Sequence, residues 1–259
     1  METAFVKMHG AGNDFVMIDD RAETFPLERA AVAELANRPG GIGCEGVIFV
    51  RSSSVADFRM RFFNPDGAEA ELCGNGARCV AAFARAIGAA RSDRMRFETA
   101  AGVIDAEILS PGLVRIRMPD PHGLSGDFVN SGVPHLIVPV DDVSAVDVRG
   151  EGRKIRFSEE FAPAGTNVDF VEYRAPGKLK MRTYERGVED ESGACGTGAA
   201  AAAVVGVSRY GMKFPVEAET SAGYVLTVDG VCRGGSFSEV SLTGPVETVF
   251  SGVWKRHGK

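Results

Sequence analysis

The sequence predicts an α/β (α+β) protein of two pseudo-symmetric halves, each a curved sheet or barrel around a central helix, with the active site in the cleft between them. The first observation behind this is an internal repeat. Cys73 in Leu72-Cys73-Gly74-Asn75-Gly76-Ala77 and Cys195 in Ala194-Cys195-Gly196-Thr197-Gly198-Ala199 open matching segments. Met60-Arg61-Phe62-Phe63 precedes the first as Met181-Arg182-Thr183-Tyr184 precedes the second, and Glu98-Thr99-Ala100-Ala101-Gly102 follows one as Glu219-Thr220-Ser221-Ala222-Gly223 follows the other. All are offset by 121 or 122 residues, a period far too long for a solenoid, so the copies read as two similar halves. A looser echo pairs Ala11-Gly12-Asn13-Asp14-Phe15-Val16 with Ala164-Gly165-Thr166-Asn167-Val168-Asp169-Phe170-Val171.

The second observation is one long Ala/Val-rich helix per half amid many short strand patterns. A helix apolar on nearly every face must be buried, and a sheet curved around it does this. The third is size: 259 residues with 44% hydrophobic content can bury two moderate cores. The expected division is 1–117, joined by a C-terminal strand at 249–259, and 118–248.

Taken in order, residues 7–19 read as a glycine-rich strand and turn, and 25–37 as a short helix stopped by Arg38-Pro39-Gly40-Gly41. Strand patterns at 46–52 and 58–63 lead through the turn Asn64-Pro65-Asp66-Gly67 to Cys73 and a helix ending near Gly88. Strands follow near 95–98, 102–109 and 113–118, and Pro119–Asp127 reads as a linker. The second half repeats the order, with strands near 135–140, 167–173 and 179–184, a helix from Gly196 to about Tyr210, and strands to the end.

A net charge of −6 without any basic block disfavours nucleic acid and anionic membrane as partners. The segment Met1–Lys7 lacks the features of a secretory signal, and the longest apolar stretch, around residues 198–207, is too short to span a bilayer. A cytoplasmic location is expected. Five cysteines with no Cys-x-x-Cys pair read as reduced thiols rather than a disulfide framework or zinc knuckle, with Cys44, Cys79 and Cys232 as small buried hydrophobes. Four histidines without a His-x-x-x-His pair give no metal site.

Cys73 and Cys195 each precede a helix, so each thiol is expected where free N–H groups and the macrodipole favour a thiolate and a bound carboxylate. Inverting a carbon that bears an amino group, a carboxylate and a hydrogen needs a base on one face and an acid on the other, without redox change. One thiolate and one thiol suffice. The N–H groups at Gly74, Asn75, Gly196 and Thr197 can hold the carboxylate as it gains enolate character, and flanking glycines allow close backbone approach.

The stretches Met8-His9-Gly10-Ala11-Gly12-Asn13-Asp14-Phe15, Gly41-Ile42-Gly43, Phe62-Phe63-Asn64-Pro65-Asp66-Gly67, Cys73-Gly74-Asn75-Gly76-Ala77-Arg78, Gly165-Thr166-Asn167-Val168, Tyr184-Glu185-Arg186-Gly187-Val188 and Ala194-Cys195-Gly196-Thr197-Gly198 resemble the diaminopimelate epimerase family, in order and over nearly the whole chain. The resemblance implies a cofactor-free, two-base epimerisation of LL-diaminopimelate to the meso form, a step toward lysine and peptidoglycan. It implies Cys73 and Cys195 as the acid/base pair, and Asn13, Asn64, Asn167, Glu185 and Arg186 as contacts to the substrate's ammonium groups or distal carboxylate. His135 in Gly132-Val133-Pro134-His135 matches a family histidine near the thiols. The implied partner is a small amino-acid substrate, with a homodimer as a candidate assembly.

Three departures from the family pattern stand out. Val133 replaces an asparagine found in many members, Gly46 stands where some carry glutamine, and Val188–Ala194 is one residue longer than in some members and holds three acids. Two other readings of the residues stay open. One is a racemase of the same fold acting on proline, hydroxyproline or histidine; the other is a cysteine hydrolase or dithiol redox protein, which leaves the second cysteine unexplained or requires a redox-active disulfide.

Overall fold

A two-residue turn at Ala11 and Gly12, both at positive φ (52° and 87°), folds β1 (Glu2–Gly10) back onto β2 (Asn13–Asp19). Two left-handed residues give the turn a twist that matches its strands, and glycine takes the second place without a Cβ penalty. The computed structural model describes residues 2–174 and 176–256; residues 1 and 257–259 of the expected domain limits lie outside them. The chain divides into two units at Ile116/Arg117 and Gly244/Pro245, with the described residues after Gly244 belonging to the first unit.

After the hairpin come α1 (Arg29–Ala36), β3 (Gly46–Arg51), β4 (Phe58–Phe63), β5 (Glu69–Ala70), α2 (Gly74–Ala86), β6 (Arg94–Thr99), β7 (Gly102–Ser110) and β8 (Leu113–Arg117). The long β17 (Ser236–Lys255) contributes its last part to this unit by pairing antiparallel with β1. Eight strands thus run β8-β7-β6-β4-β3-β2-β1-β17, with β5 as a hairpin on β4. The Val246 N–H donates to the Gly112 carbonyl at 2.9 Å, bringing the last strand back to the β7–β8 turn. The sheet curves around α2, whose Ala77, Val80, Ala81 and Ala84 are wholly buried, while α1 packs outside with Phe25, Val32, Leu35 and Phe49 in a second cluster. Burying each large apolar side chain contributes about 1.5–3 kcal/mol, so helix placement here follows from apolar area.

The second unit runs β9 (His122–Ser125), β10 (Phe128–Asn130), β11 (Pro134–Pro139), α3 (Val148–Arg156), β12 (Asn167–Tyr173), β13 (Lys178–Glu185), β14 (Asp190–Ser192), α4 (Gly196–Arg209), β15 (Val216–Glu219), β16 (Val225–Arg233) and the first part of β17. Its pairing reproduces the first unit strand for strand. β11 lies parallel to β12 as β2 does to β3, and β13 parallel to β15 as β4 does to β6; the neighbouring pairs are antiparallel in both. Ten residues of α4 are buried, as expected of a helix enclosed by its sheet.

The structure corrects several expectations. β9 lies within the segment read as a linker, paired with β10. α3 carries too few buried residues, Val148 and Gly152, for a periodic pattern to reveal it; its start is fixed instead by Asp147, whose carboxylate accepts from the Gly150 N–H. Cys232 is exposed rather than buried, because it sits beside the tip of the β16–β17 hairpin. The looser echo is no part of the duplication: Asn13 starts β2, whereas Asn167 starts β12, the counterpart of β3. Both segments share only the glycine-to-strand turn chemistry.

Candidate active site

In the first unit Cys73 occupies the N-cap position of α2, with extended backbone (φ −129°, ψ 121°) and a half-buried side chain. The hairpin turn presents Asn13, and the Cys73 thiol donates to its Oδ1 at 3.7 Å, while Asn13 Nδ2 donates to Glu45. Asn64 is exposed and its backbone closes the turn after β4, donating to the Ala68 carbonyl and accepting from the Gly67 N–H. Asn75 is buried and its Oδ1 accepts from Arg78 Nη2 at 2.8 Å. Gly74 and Asn75 are the first helical residues and cannot donate to carbonyls four residues back within α2. Close packing explains Gly46: a β-carbon there would collide with the Phe62 ring, so glutamine is not accommodated without moving it.

In the second unit Cys195 is the N-cap of α4, and its Sγ accepts from the Gly198 N–H at 3.4 Å. Only 7% of the residue is exposed. Burial pushes its thiol pKa well above the usual value, the negative charges of Glu185 and Asp169 push it further, and the hydrogen bonds with Thr197 and Gly198 only partly offset this. The expectation that a helix N-terminus favours a thiolate is therefore reversed at Cys195: placement is as expected, but desolvation wins.

A buried chain of hydrogen bonds leads to that thiol. Asp169 Oδ2 lies 2.6 Å from His135 Nδ1, His135 Nε2 lies 3.0 Å from Thr197 Oγ1, and Thr197 Oγ1 lies 3.4 Å from Cys195 Sγ. His135 and Asp169 are both 0% exposed, and Thr183 donates to the other Asp169 oxygen at 2.6 Å. A carboxylate only accepts, so His135 donates through Nδ1; in the neutral ring Nε2 then accepts from Thr197, whose oxygen can accept from the Cys195 S–H. Gly198 is needed for this, since a β-carbon there would strike Asp169 Oδ1. Ser131 braces the same helix start, its hydroxyl donating to the Thr197 carbonyl at 2.8 Å.

Asn167 is buried with its amide engaged: Nδ2 donates to the Pro134 carbonyl at 3.1 Å, and Oδ1 accepts from the Arg186 N–H at 2.8 Å. It thus splices β11 to the end of β13, where Glu185 and Arg186 are half-buried. Arg186 Nη1 reaches the Ala164 carbonyl at 3.5 Å. The three acids before Cys195 are neutralised by arginines, Glu189 by Arg156, Asp190 by Arg149 and Glu191 by Arg182. Val133 is half-buried, and its carbonyl accepts from the Ser131 N–H.

Sequence reasoning missed Asp169, Thr183, Ser131 and the buried state of Arg78. Comparing the two copies position by position exposes three of these: Asp169 stands where the first unit has Ile48, Thr183 where it has Phe62, and Arg78 where the second unit has Ala200. Among the described residues no cluster of three His, Cys, Asp or Glu side chains could hold a metal ion, and no helix is long and apolar enough to cross a membrane.

A family model described as diaminopimelate epimerase matches residues 5–122 and 128–249. The chain is 44% identical over 272 residues to a diaminopimelate epimerase of Aquifex aeolicus, covering 96% of each chain. It is 40% identical over 258 residues to a diaminopimelate epimerase of Chlorobaculum tepidum, covering 95% of this chain and 99% of that relative. Among solved structures, a Bacillus anthracis phenazine biosynthesis protein of the PhzF family superposes with a TM-score of 0.76 at 16% identity, over 98% of this chain and 99% of that one, a likeness of fold alone.

Proposed function

The chain belongs to the diaminopimelate epimerase family, and from that premise we propose that its own two thiols interconvert LL- and meso-diaminopimelate in the formation of lysine and peptidoglycan precursors. The observation that carries this reading is the placement of Cys73 and Cys195 at the N-caps of matching helices in two units of the same strand order. One thiolate takes the Cα proton and its electron pair passes into the carboxylate as an enolate. The other thiol then delivers its proton to the opposite face of Cα, so that the enzyme finishes with the two protonation states exchanged. Proton count and charge balance without redox change.

The N–H groups at Gly74, Asn75, Gly196 and Thr197, in the first turns of α2 and α4, would stabilise the developing charge, which such pre-oriented donors do better than water. The raised thiol of Cys195, hydrogen-bonded through Thr197 to His135, supports its role as the acid of the resting enzyme. Cys73 is then the first base. Glu185 and Arg186 at the end of β13 offer opposite charges to a substrate with a distal ammonium and carboxylate, with Asn13 and Asn64 as further polar contacts. Asn167 fixes the Arg186 backbone and keeps one Oδ1 lone pair for a ligand. The full-length match favours this substrate over proline, hydroxyproline or histidine. We place the enzyme in the cytoplasm as part of the same reading, with a homodimer as the assembly to test.

Incubation with LL-diaminopimelate in deuterated water checks the reading. The expected result is meso product carrying deuterium at the inverted Cα, with no cleavage and no change in thiol oxidation state. Exchange only with proline-type amino acids, or turnover that needs a disulfide, would contradict it.

A further inference from the structure

Arg78 lies in the second turn of α2 and is wholly buried, with 0% exposed. Its fork reaches only neutral acceptors: Nη2 donates to Asn75 Oδ1 at 2.8 Å and Nη1 to the Gly74 carbonyl at 3.4 Å, and Nε has no partner. Among the described residues no carboxylate lies within ion-pair distance of it, whereas buried Lys7 is paired with Asp14 at 2.6 Å. A buried charge without a counter-charge is costly enough that proteins pair it or neutralise it.

Cys79, the next residue, and Cys73, at the N-cap of the same helix, are near enough that a thiolate at either would be stabilised by this guanidinium. Cys79 is fully buried, and that burial pushes its pKa up to about 12, so it remains a neutral thiol. Cys73 is half-buried, and the carbonyl of the residue after it, Gly74, is held by Arg78 itself. Charges on the strands packed around α2 are engaged elsewhere, Arg61 with Glu69, Glu107 with Arg115, and His9 lying 3.7 Å from Glu247. The matching position in the second unit is Ala200, and Cys195 has carboxylates for neighbours instead.

We propose that Arg78 is a positioning residue that supplies a fixed positive charge to Cys73, holding that sulfur as the thiolate of the resting enzyme and so selecting it as the first base. The proposal rests on the two cysteines being the acid/base pair. Arg78 makes and breaks no bond: Cys73 gives up to solvent the proton that, as a thiol, it donates to Asn13 Oδ1 at 3.7 Å, and the guanidinium keeps its own.

The test is the pH dependence of Cys73 alkylation by iodoacetamide, resolved by peptide mass spectrometry in the full chain, with exposed Cys232 as internal control. It does not depend on turnover, so its outcome is separate from that of the substrate assignment. Arg78→Met should raise the Cys73 midpoint by about one pH unit or more, slowing its alkylation near neutrality about tenfold. Arg78→Lys keeps the charge but cannot make both fork contacts, and should restore most of the midpoint. A merely structural arginine would give the opposite pattern, with Lys no better than Met and the Cys73 midpoint unmoved. Should Arg78→Met fail to fold, the Arg78 Nε–H resonance of the wild-type protein decides: it should shift with Cys73 ionisation and lose that response in Cys73→Ser. An Nε–H signal unchanged across that ionisation would overturn the proposal.

Discussion

Cys73 and Cys195 begin matching helices, each following a strand hairpin, in sheets with the same sequence of parallel and antiparallel neighbours. The paired arginine–glutamate contacts behind them match too, Arg61 with Glu69 and Arg182 with Glu191. What differs is the buried side chains nearest each helix start. Beside α2 these are Phe15, Ile48 and the cation Arg78; beside α4 their counterparts are His135, Asp169 and Ala200. Duplication has kept the scaffold and divided the electrostatics, so that one thiol is offered a positive charge and the other negative ones. A two-base inversion needs such a division, because two thiolates or two thiols at rest cannot both give and take a proton.

The comparison breaks most plainly if one cysteine proves dispensable. Cys73→Ala and Cys195→Ala should each lower epimerisation in both directions by at least the hundred- to ten-thousandfold typical of a general acid or base, with circular dichroism unchanged. Near wild-type rates in either variant would reduce the duplicated motif to a fold feature.

The buried neighbours come next. Asp169→Asn leaves His135 without its carboxylate and should destabilise the protein by about 3–5 kcal/mol in urea unfolding, as breaking a buried pair does. The matching apolar change, Ile48→Val, should cost only about 0.5–1.5 kcal/mol. Removing the Asp169 charge should also lower the pH at which Cys195 ionises, since that charge is among the causes holding it up. Equal costs at the two positions would show that the His–Asp pair contributes little.

Smaller effects are expected at the helix glycines. Gly198→Ala drives a methyl into Asp169 and should cost about 1–3 kcal/mol. Gly76→Ala meets the Ile48 Cδ1 atom at 2.8 Å, an end group that can rotate away, and should cost less by thermal unfolding. The reverse order would mean that α4 and not α2 has slack at its first turn.

The repeat made the two thiols, both central helices and most strands legible, because apolar periodicity and glycine placement are local signals. Elements held by tertiary pairing were not: β14 has three polar residues and exists because it pairs with the end of β13, and β9 forms in a proline- and glycine-rich stretch by pairing with β10. The site was legible where a side chain departs from its helix start and hidden where a polar residue sits in an apolar strand. Asp169 lies between Val168 and Phe170 and reads as a solvent-facing residue until its strand is found to be buried on both faces. Asn167 was read as a ligand contact, yet most of its amide is used in holding two strand ends, which only register reveals.

The division of charge between the two thiols is tested most directly by ultraviolet thiolate absorbance, titrated in the wild type and in Cys73→Ser and Cys195→Ser. Near neutral pH the wild-type signal should vanish in Cys73→Ser and persist in Cys195→Ser, with Cys195 ionising only in the alkaline range. A neutral-pH thiolate lost with Cys195 and retained without Cys73 would contradict the account.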